Sequence, residues 1–478
     1  MKRFFVALVA AAAVVHPAWA DDDAEKARDD AVFGEDDGEV AQPSATKPVV
    51  ASPKDASPTA SGEGEVVDLG DERVARQSEE NKALLSRDRT QIGGFFYMRT
   101  SAGLAEGQKV SDIGLGNTTL FDAYFDSRIN DRLRVYSRGR INYNPLADAP
   151  ATSLAIPGLS LGPQNTDEVR VVLNQMWIKF DIGQRVFVTA GRQFVRFGAT
   201  RFWNPVDVIN NIKFNPLAFF DDRVGPTMLK FHLPIESKGW NFYGILLTEN
   251  AAKVDSVGAV LRSEIVLGQA ELGLVGALRK GQDPKIGADL SAGIGVFDLT
   301  AEIATWFPDA ANPQWQASAG LSYSWAYGED DTLVLGVEYF HNDQGVTAQT
   351  YLDSTLANAK LGKSSPYVPL FTGRDYAGLV ATVLSPGDWN NSSVSLIGLS
   401  NLTDKSGTAQ INFSTRVLTD LTVEAFTAAN FGDGEFRGYI PMIKEQLPQQ
   451  LPGGLGQSLA DQLQAPMLRI GLNLRCDL

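Results

Sequence analysis

Four arginines, at positions 132, 134, 138 and 140, recur at even spacing in the stretch Arg132-Leu133-Arg134-Val135-Tyr136-Ser137-Arg138-Gly139-Arg140-Ile141. A guanidinium stays charged at any ordinary pH and offers carboxylates or phosphates a rigid fork of donors. On an extended strand this spacing places all four on one side, with Leu133, Val135 and Ile141 on the other. Such a face can attract and pass anions. The residues needed for catalysis are few by comparison. After residue 20 the chain has two histidines, His232 and His341, and one cysteine, Cys476. No serine can be placed beside either histidine as a nucleophile, and a single cysteine cannot close an internal disulfide. Two histidines are also too few for a histidine-based metal cluster. No catalytic residue, metal or cofactor is therefore expected. Leu361-Gly362-Lys363-Ser364 matches the end of a phosphate loop, but Ala357 stands where the motif needs glycine and no helix pattern follows.

The elements that must position these arginines are strands. No stretch after residue 20 approaches 18 consecutive apolar residues, whereas residues 91–478 alternate with period two. From Gln314 to Tyr327, Trp315, Ala317, Ala319, Leu321, Tyr323, Trp325 and Tyr327 share one face. Over 297–305, Phe297, Leu299, Ala301 and Ile303 oppose Asp298, Thr300 and Glu302. Eighteen candidate strands can be marked, from 91–103, 117–129, 132–143, 169–182 and 184–198 to 408–418, 421–431 and 466–476. A soluble sandwich also alternates, but it has no reason to sort its connections. Here the even-to-odd joins are short, while odd-to-even joins include 104–116, 144–168, 199–225, 342–375 and 432–465. Short periplasmic turns and long extracellular loops are the asymmetry of a membrane barrel, and an even count leaves both termini on one side. Trp315 and Trp325, ten residues apart on one face, are spaced for the two aromatic girdles. The sequence predicts an all-β transmembrane antiparallel barrel of about 18 strands (16–18).

Assigning faces by parity gives a charge map of the lumen. Arg99, Arg128, Arg132, Arg134, Arg138, Arg140, Arg469 and Arg475 fall on one wall, formed by strands 18, 1, 2 and 3, with Asp122 and Asp126 among them. Glu264, Glu271, Asp289, Asp298, Glu302, Glu338 and Glu424 are expected across from them, with Arg262 and Arg279 interspersed. Opposed walls of this kind set up a transverse field. A polar lumen with charges paired across strands is the plainer reading of the same residues. Parity fails in 184–198, where Arg192 and Arg196 would follow Val186, Val188 and Ala190 outward; a bulge near Gly191 or an extension above the membrane would resolve this. The loop from Arg201-Phe202-Trp203 to Phe219-Phe220-Asp221-Asp222-Arg223 is too apolar for a solvated connection. It is expected to pack as a constriction in the barrel mouth, the alternatives being surface exposure or partner contact, and the same choice applies to 446–464, with a short helix over Gln457–Gln464.

The amino-terminal part is of a different kind. Lys2 and Arg3, an apolar run from Phe4 to Val15 and Ala18-Trp19-Ala20 form a secretory signal peptide over 1–20. Residues 21–88 are expected to be an acidic, disordered periplasmic segment, with a short helix over 71–88, and residues 89–478 the barrel. Between Asp21 and Gly70 there are fourteen acidic and four basic residues, a net charge of −10, leaving −7 over 71–478. No basic stripe supports nucleic-acid binding. The segment is too polar to pack as a folded plug. At the other end, Leu468, Ile470, Leu472, Leu474, Cys476 and Leu478 alternate with Arg469, Gly471, Asn473 and Arg475. This end resembles the terminal signal read by the barrel-insertion machinery, with Leu478 in place of the usual Phe.

Gly191-Arg192-Gln193, then Phe197-Gly198, then Asn204-Pro205-Val206-Asp207 resemble a pattern in large porin-like outer-membrane families of Gram-negative bacteria. The chain is similar, more distantly, to the alginate-export channel. The resemblance implies an eighteen-stranded or similar channel whose arginine wall is alike in kind to that of an acidic-polysaccharide exporter. The expected partners are outer-membrane lipid, lipopolysaccharide, the barrel-insertion machinery and small hydrophilic solutes, anions among them. The alternative reading is a structural or adhesive barrel closed by its loops.

Overall fold

The computed structural model describes residues 89–147, 167–210, 213–220, 223–308, 312–327, 331–360, 370–450 and 465–478. The signal peptide, the acidic segment, the helix expected over 71–88, Leu361–Ser364 and Gln457–Gln464 all lie outside these residues. The strands are β1 (Thr90–Ala105), β2 (Gly114–Asn130), β3 (Leu133–Tyr143), β4 (Val169–Ile182), β5 (Val186–Arg192) and β6 (Thr227–Ile235). Next come β7 (Trp240–Leu247), β8 (Gly258–Leu267), β9 (Ala270–Leu278), β10 (Lys285–Ile294), β11 (Phe297–Trp306) and β12 (Gln314–Ala326). The last six are β13 (Thr332–Asn342), β14 (Asp375–Leu384), β15 (Ser392–Asn401), β16 (Ser406–Leu418), β17 (Leu421–Phe431) and β18 (Pro466–Asp477).

Each strand pairs antiparallel with the next, and β18 returns to β1 with Phe96 opposite Cys476 and Arg99 opposite Asn473. The result is a closed 18-stranded sheet. Closure leaves no strand edge unpaired, which hydrocarbon requires because it supplies no hydrogen bonds. Alternation then sorts the side chains. Leu335, Val337, Leu379 and Ile411 are exposed on the outer face, while Glu338, Gln316 and Gln410 are buried. Trp315 and Trp325 are both exposed on the outer face of β12. On β18 the leucines and Ile470 point outward with Cys476 in their file, and Asn473 is buried on the inner side.

Two parts differ from the alternation. In β4 the register slips between the Arg138–Gln175 and Gly139–Leu173 pairs, so that Asn174 and Gln175 are both buried. This bulge lets Leu173 and Met176 both face outward. In β5 the strand ends at Arg192 instead of running on to 198. Gly191 has φ 129°, and a Cβ there would lie 2.2 Å from the Met176 carbonyl oxygen. The expected parity therefore ends at Gly191: Arg192 bonds Glu249 at the rim, and the chain beyond it leaves the sheet. Two helices decorate the long connections, α1 (Ala348–Lys360) and α2 (Ile440–Gln450). No helix among the described residues is long and apolar enough to cross a membrane.

Candidate pore-lining site

After Arg192 the chain turns into the barrel. In the segment 193–220, the described residues 193–210 and 213–220 pack against inner faces at many points around the sheet. Val206 and Ile209 join Met228, Ile245, Val260, Val275 and Ala304 in one buried cluster. Trp203 is fully buried, stacked on Phe340 at 5.5 Å, and its indole N–H donates to the Leu370 carbonyl. Farther along, the Leu217 carbonyl accepts from Gln410. Phe219 meets Phe426, and Phe220 meets Phe95 and Tyr97. Apolar residues that looked out of place in a surface loop thus fill the interior. Each such side chain, once buried, contributes about 1.5–3 kcal/mol toward the cost of ordering the segment.

Two carboxylates hold this segment. Glu338 accepts the backbone N–H of three successive residues, Arg201 (2.8 Å), Phe202 (3.0 Å) and Trp203 (2.9 Å), as well as the Ser318 hydroxyl (2.8 Å). Glu302 accepts from the Thr200 N–H and hydroxyl, the Asn204 amide and the Val206 N–H. Gly198 has φ 108°, and a Cβ there would sit 2.4 Å from a Glu302 carboxylate oxygen, so this position needs glycine twice over. The three pieces of the sequence pattern thus act together: Gly191 ends the strand, Gly198 admits Glu302, and Asn204 and Val206 bind it. Asp207 accepts from Asn210 and Arg223.

Most of the expected acidic wall is accordingly committed. Besides Glu302 and Glu338, Asp289 is held bidentately by Arg262 (2.7 and 3.0 Å), and Glu264 takes bonds from Arg262 (2.8 Å) and the Tyr243 hydroxyl (3.0 Å). Glu424 does not stand across from the arginines; it lies beside them, on β17 next to β18, and accepts from Tyr97 of β1 (2.7 Å) and from Asn473. Glu271 and Asp298 are exposed near short turns.

The arginines are gathered more closely. Arg134 is buried and bidentate with Asp126 (2.9 and 2.6 Å). Arg138 and Arg140 share the buried Asp122, at 2.6 and 2.8 Å. Arg99 lies over the Tyr97 ring, Arg469 over Phe426, and Arg475 over Phe95 while pairing with Asp477. Arg140 also covers Phe220 of the inner segment at 5.5 Å, so the segment and the wall meet there. Arg132 departs from its expected place. It falls in the β2–β3 turn, its side chain is 57% exposed, and it is paired with Asp181 at 2.7 Å.

Pairing adds lysines that the charge map lacked. Arg128 lies opposite Arg134, Arg134 opposite Lys179, Lys179 opposite Thr189, and Thr189 opposite Lys230. A cross-strand row of cations therefore runs over β2, β3, β4 and β6. The signal was available in Trp177-Ile178-Lys179-Phe180-Asp181, which alternates as clearly as 132–141. Arg196 and Lys213 of the inner segment, and Arg223 just after it, stand over Phe214, Phe371 and Phe194 respectively, and burial pushes the Lys213 ammonium below its ordinary pKa.

At the extracellular mouth α1 and α2 meet through Tyr351 and Tyr439, whose rings stack at 4.4 Å. Below them Glu435 is buried, accepting from Leu370 N–H (2.7 Å), the Tyr376 hydroxyl (2.7 Å) and the Asn401 amide (2.9 Å). Burial outweighs these bonds and pushes its carboxyl up to about 7. The folded state thus holds this proton more tightly than the unfolded chain, whose glutamates titrate near 4.3. The resulting stabilisation is complete below about pH 4.3 and is lost as pH rises through about 7. It is on the order of 3 kcal/mol. Amide exchange at Leu370 and Tyr439, corrected for intrinsic rates, is expected to show stronger protection at pH 5 than at pH 8. Glu435→Gln should flatten that difference; an unchanged difference would exclude Glu435 as its source.

A closed antiparallel barrel of 18 strands with an apolar, aromatic-girdled exterior and a polar interior is an outer-membrane β-barrel. No protein-family model matches the chain, and no curated protein matches it. Among solved structures it is similar to Pseudomonas aeruginosa OccK2 (OpdF), solved in complex with glucuronate, with a TM-score of 0.48 and 13% identity over 82% of this chain and 99% of that one. It is also similar to a BenF-like porin from Pseudomonas fluorescens Pf-5, with a TM-score of 0.48 and 12% identity over 82% and 99%. OpdK of Pseudomonas aeruginosa, solved with vanillate, gives a TM-score of 0.46 and 12% identity over 81% and 98%.

Proposed function

We propose that the barrel is a channel for small hydrophilic solutes and that its arginine wall favours anions. The observation that carries this reading is the position of the 193–220 segment, which crosses the interior and meets the basic wall where Arg140 covers Phe220. A passage narrowed on that side runs along guanidiniums whose carboxylate partners, Asp122 and Asp126, are fewer than they are. On the other side Glu302 and Glu338 hold the segment and Asp289 and Glu264 pair with Arg262, leaving Glu271 and Asp298 exposed near the short turns, so the field favours anions more than two equal walls would. Obstruction by the segment favours small solutes over a polymer. β18, with its outward file of leucines, is the part that the insertion machinery would read. No enzymatic role is assigned.

Proteoliposome flux compares a small monocarboxylate with a neutral solute of equal size. The carboxylate is expected to cross several-fold faster at low salt, and the advantage should shrink at 1 M salt, where charge is screened within about 3 Å. Equal rates at both salt concentrations would remove the anion preference. No flux of either solute would favour the second reading, a barrel closed by its loops, which the buried contacts between α1 and α2 also suit.

A further inference from the structure

We infer that the inner segment carries a binding station for a short monocarboxylate, whose carboxylate meets Lys213 beside Arg223 and whose apolar body lies against Phe214 and Phe371. The inference deepens the channel reading above and rests on it. It names the class of solute and places the site on the segment, away from the arginine wall. The site is a small, partly open cavity lined by Phe202, Phe214 and Phe371, by Asp207, and by Lys213 and Arg223.

The first observation is an ammonium that lacks an acceptor. Among the described residues Lys213 makes no hydrogen bond and no ion pair; it faces the Phe371 ring, whose centre is 5.1 Å from Nζ. An ammonium has three N–H groups to place, and drawing it out of bulk water without acceptors costs free energy. A ring face returns only part of that cost. Asp207 is near but otherwise engaged: its two oxygens each accept from the Asn210 amide at 3.0 Å, and one also pairs with Arg223 at 3.4 Å. A carboxylate from a solute would supply what is missing, through charge-assisted hydrogen bonds.

The second is the balance of charge around the cavity. Arg196 and Arg223 both stand over Phe214, at 4.9 and 5.5 Å, so with Lys213 three cations surround the aromatic lining. Asp207 and Glu302 are the carboxylates whose fields reach Lys213, and both are bonded to donors of the segment itself. The field left over is positive and draws an anion in. The third is the character and rigidity of the lining. Three phenylalanines favour an alkyl body over a hydroxylated one. The Phe371 carbonyl accepts from the Asn342 amide at 2.7 Å, and the Leu370 carbonyl before it accepts from the Trp203 indole at 3.0 Å. The ring is thus held against the segment before any solute arrives, which lowers the cost of binding.

The test is block of single-channel current in a planar bilayer with symmetric KCl. Potassium butyrate added in the millimolar range is expected to lower the current with saturation, and at a lower concentration than potassium acetate does. Lys213→Gln should raise the half-effective butyrate concentration at least tenfold, whereas Lys213→Arg, which keeps the charge, should stay within about threefold of the unsubstituted chain. Phe371→Ala should bring butyrate and acetate together. Heat-modifiable migration of each variant separates a lost site from a lost fold. Current steps that butyrate lowers equally in the unsubstituted chain and in Lys213→Gln, or lowers in neither, would overturn the inference and leave the channel reading intact. Absence of steps from every protein would defeat the channel reading and this inference with it.

Discussion

Glu338→Ala is expected to raise single-channel conductance about twofold or more and to make the 193–220 segment cleavable by protease. The carboxylate gathers the N–H groups of Arg201, Phe202 and Trp203. Hydrogen bonds to charged groups contribute roughly 1.5–3 kcal/mol each, and the three donors would lose their partner together. A local cost of roughly 3–5 kcal/mol follows, since such bonds are not additive. Glu302 and the Trp203 stack remain, so the segment should loosen without leaving entirely. Adding Glu302→Ala should free the arc from Thr200 to Val206 and raise conductance further. The barrel itself closes through backbone pairing, so heat-modifiable migration on gels should be retained in both variants. Unchanged conductance together with unchanged protease resistance would show that the segment does not bound the passage.

The second large effect is on selectivity. Arg138 pairs with Asp122 yet keeps part of its side chain in water, where it can meet a passing ion. Arg138→Glu changes the local charge by two units. At about 6 Å in water each unit is worth about 0.7 kcal/mol, and screening leaves about 1 kcal/mol in all. The anion-to-cation permeability ratio should therefore fall about fivefold, and Arg138→Gln should give a smaller decrease. Arg140 stays on Asp122 in both variants, so Asp122 is not left without a partner. A ratio that does not move would place the path of ions away from β3.

How legible this was in the sequence depends on the range of the interactions involved. The strands were readable because alternation is local: it marks strands over 285–294 and 296–306, and β10 and β11 run Lys285–Ile294 and Phe297–Trp306. The face assignment of Glu302 and Glu338 was equally local. Their task was not, because their partners lie about a hundred residues away in sequence and only the folded barrel brings Thr200–Val206 to them. The excess of Phe, Trp and Ile in 201–220 signalled burial without saying where. Arg132 was misplaced by a single position, since a turn and a strand start look alike in an alternating run. α1 gave little warning: among its described side chains Tyr351 and Leu352 are buried in the core cluster, with Ala348 packed against it. Glu435 gave none, because a lone glutamate in a loop ordinarily faces water.

The central claim, an open channel with a cationic wall, is tested most directly by single-channel recording of the full mature chain across a KCl gradient. Discrete open steps whose reversal potential lies toward that of chloride are the predicted result. Stable insertion into the bilayer with no steps, or steps that reverse toward potassium, would contradict it.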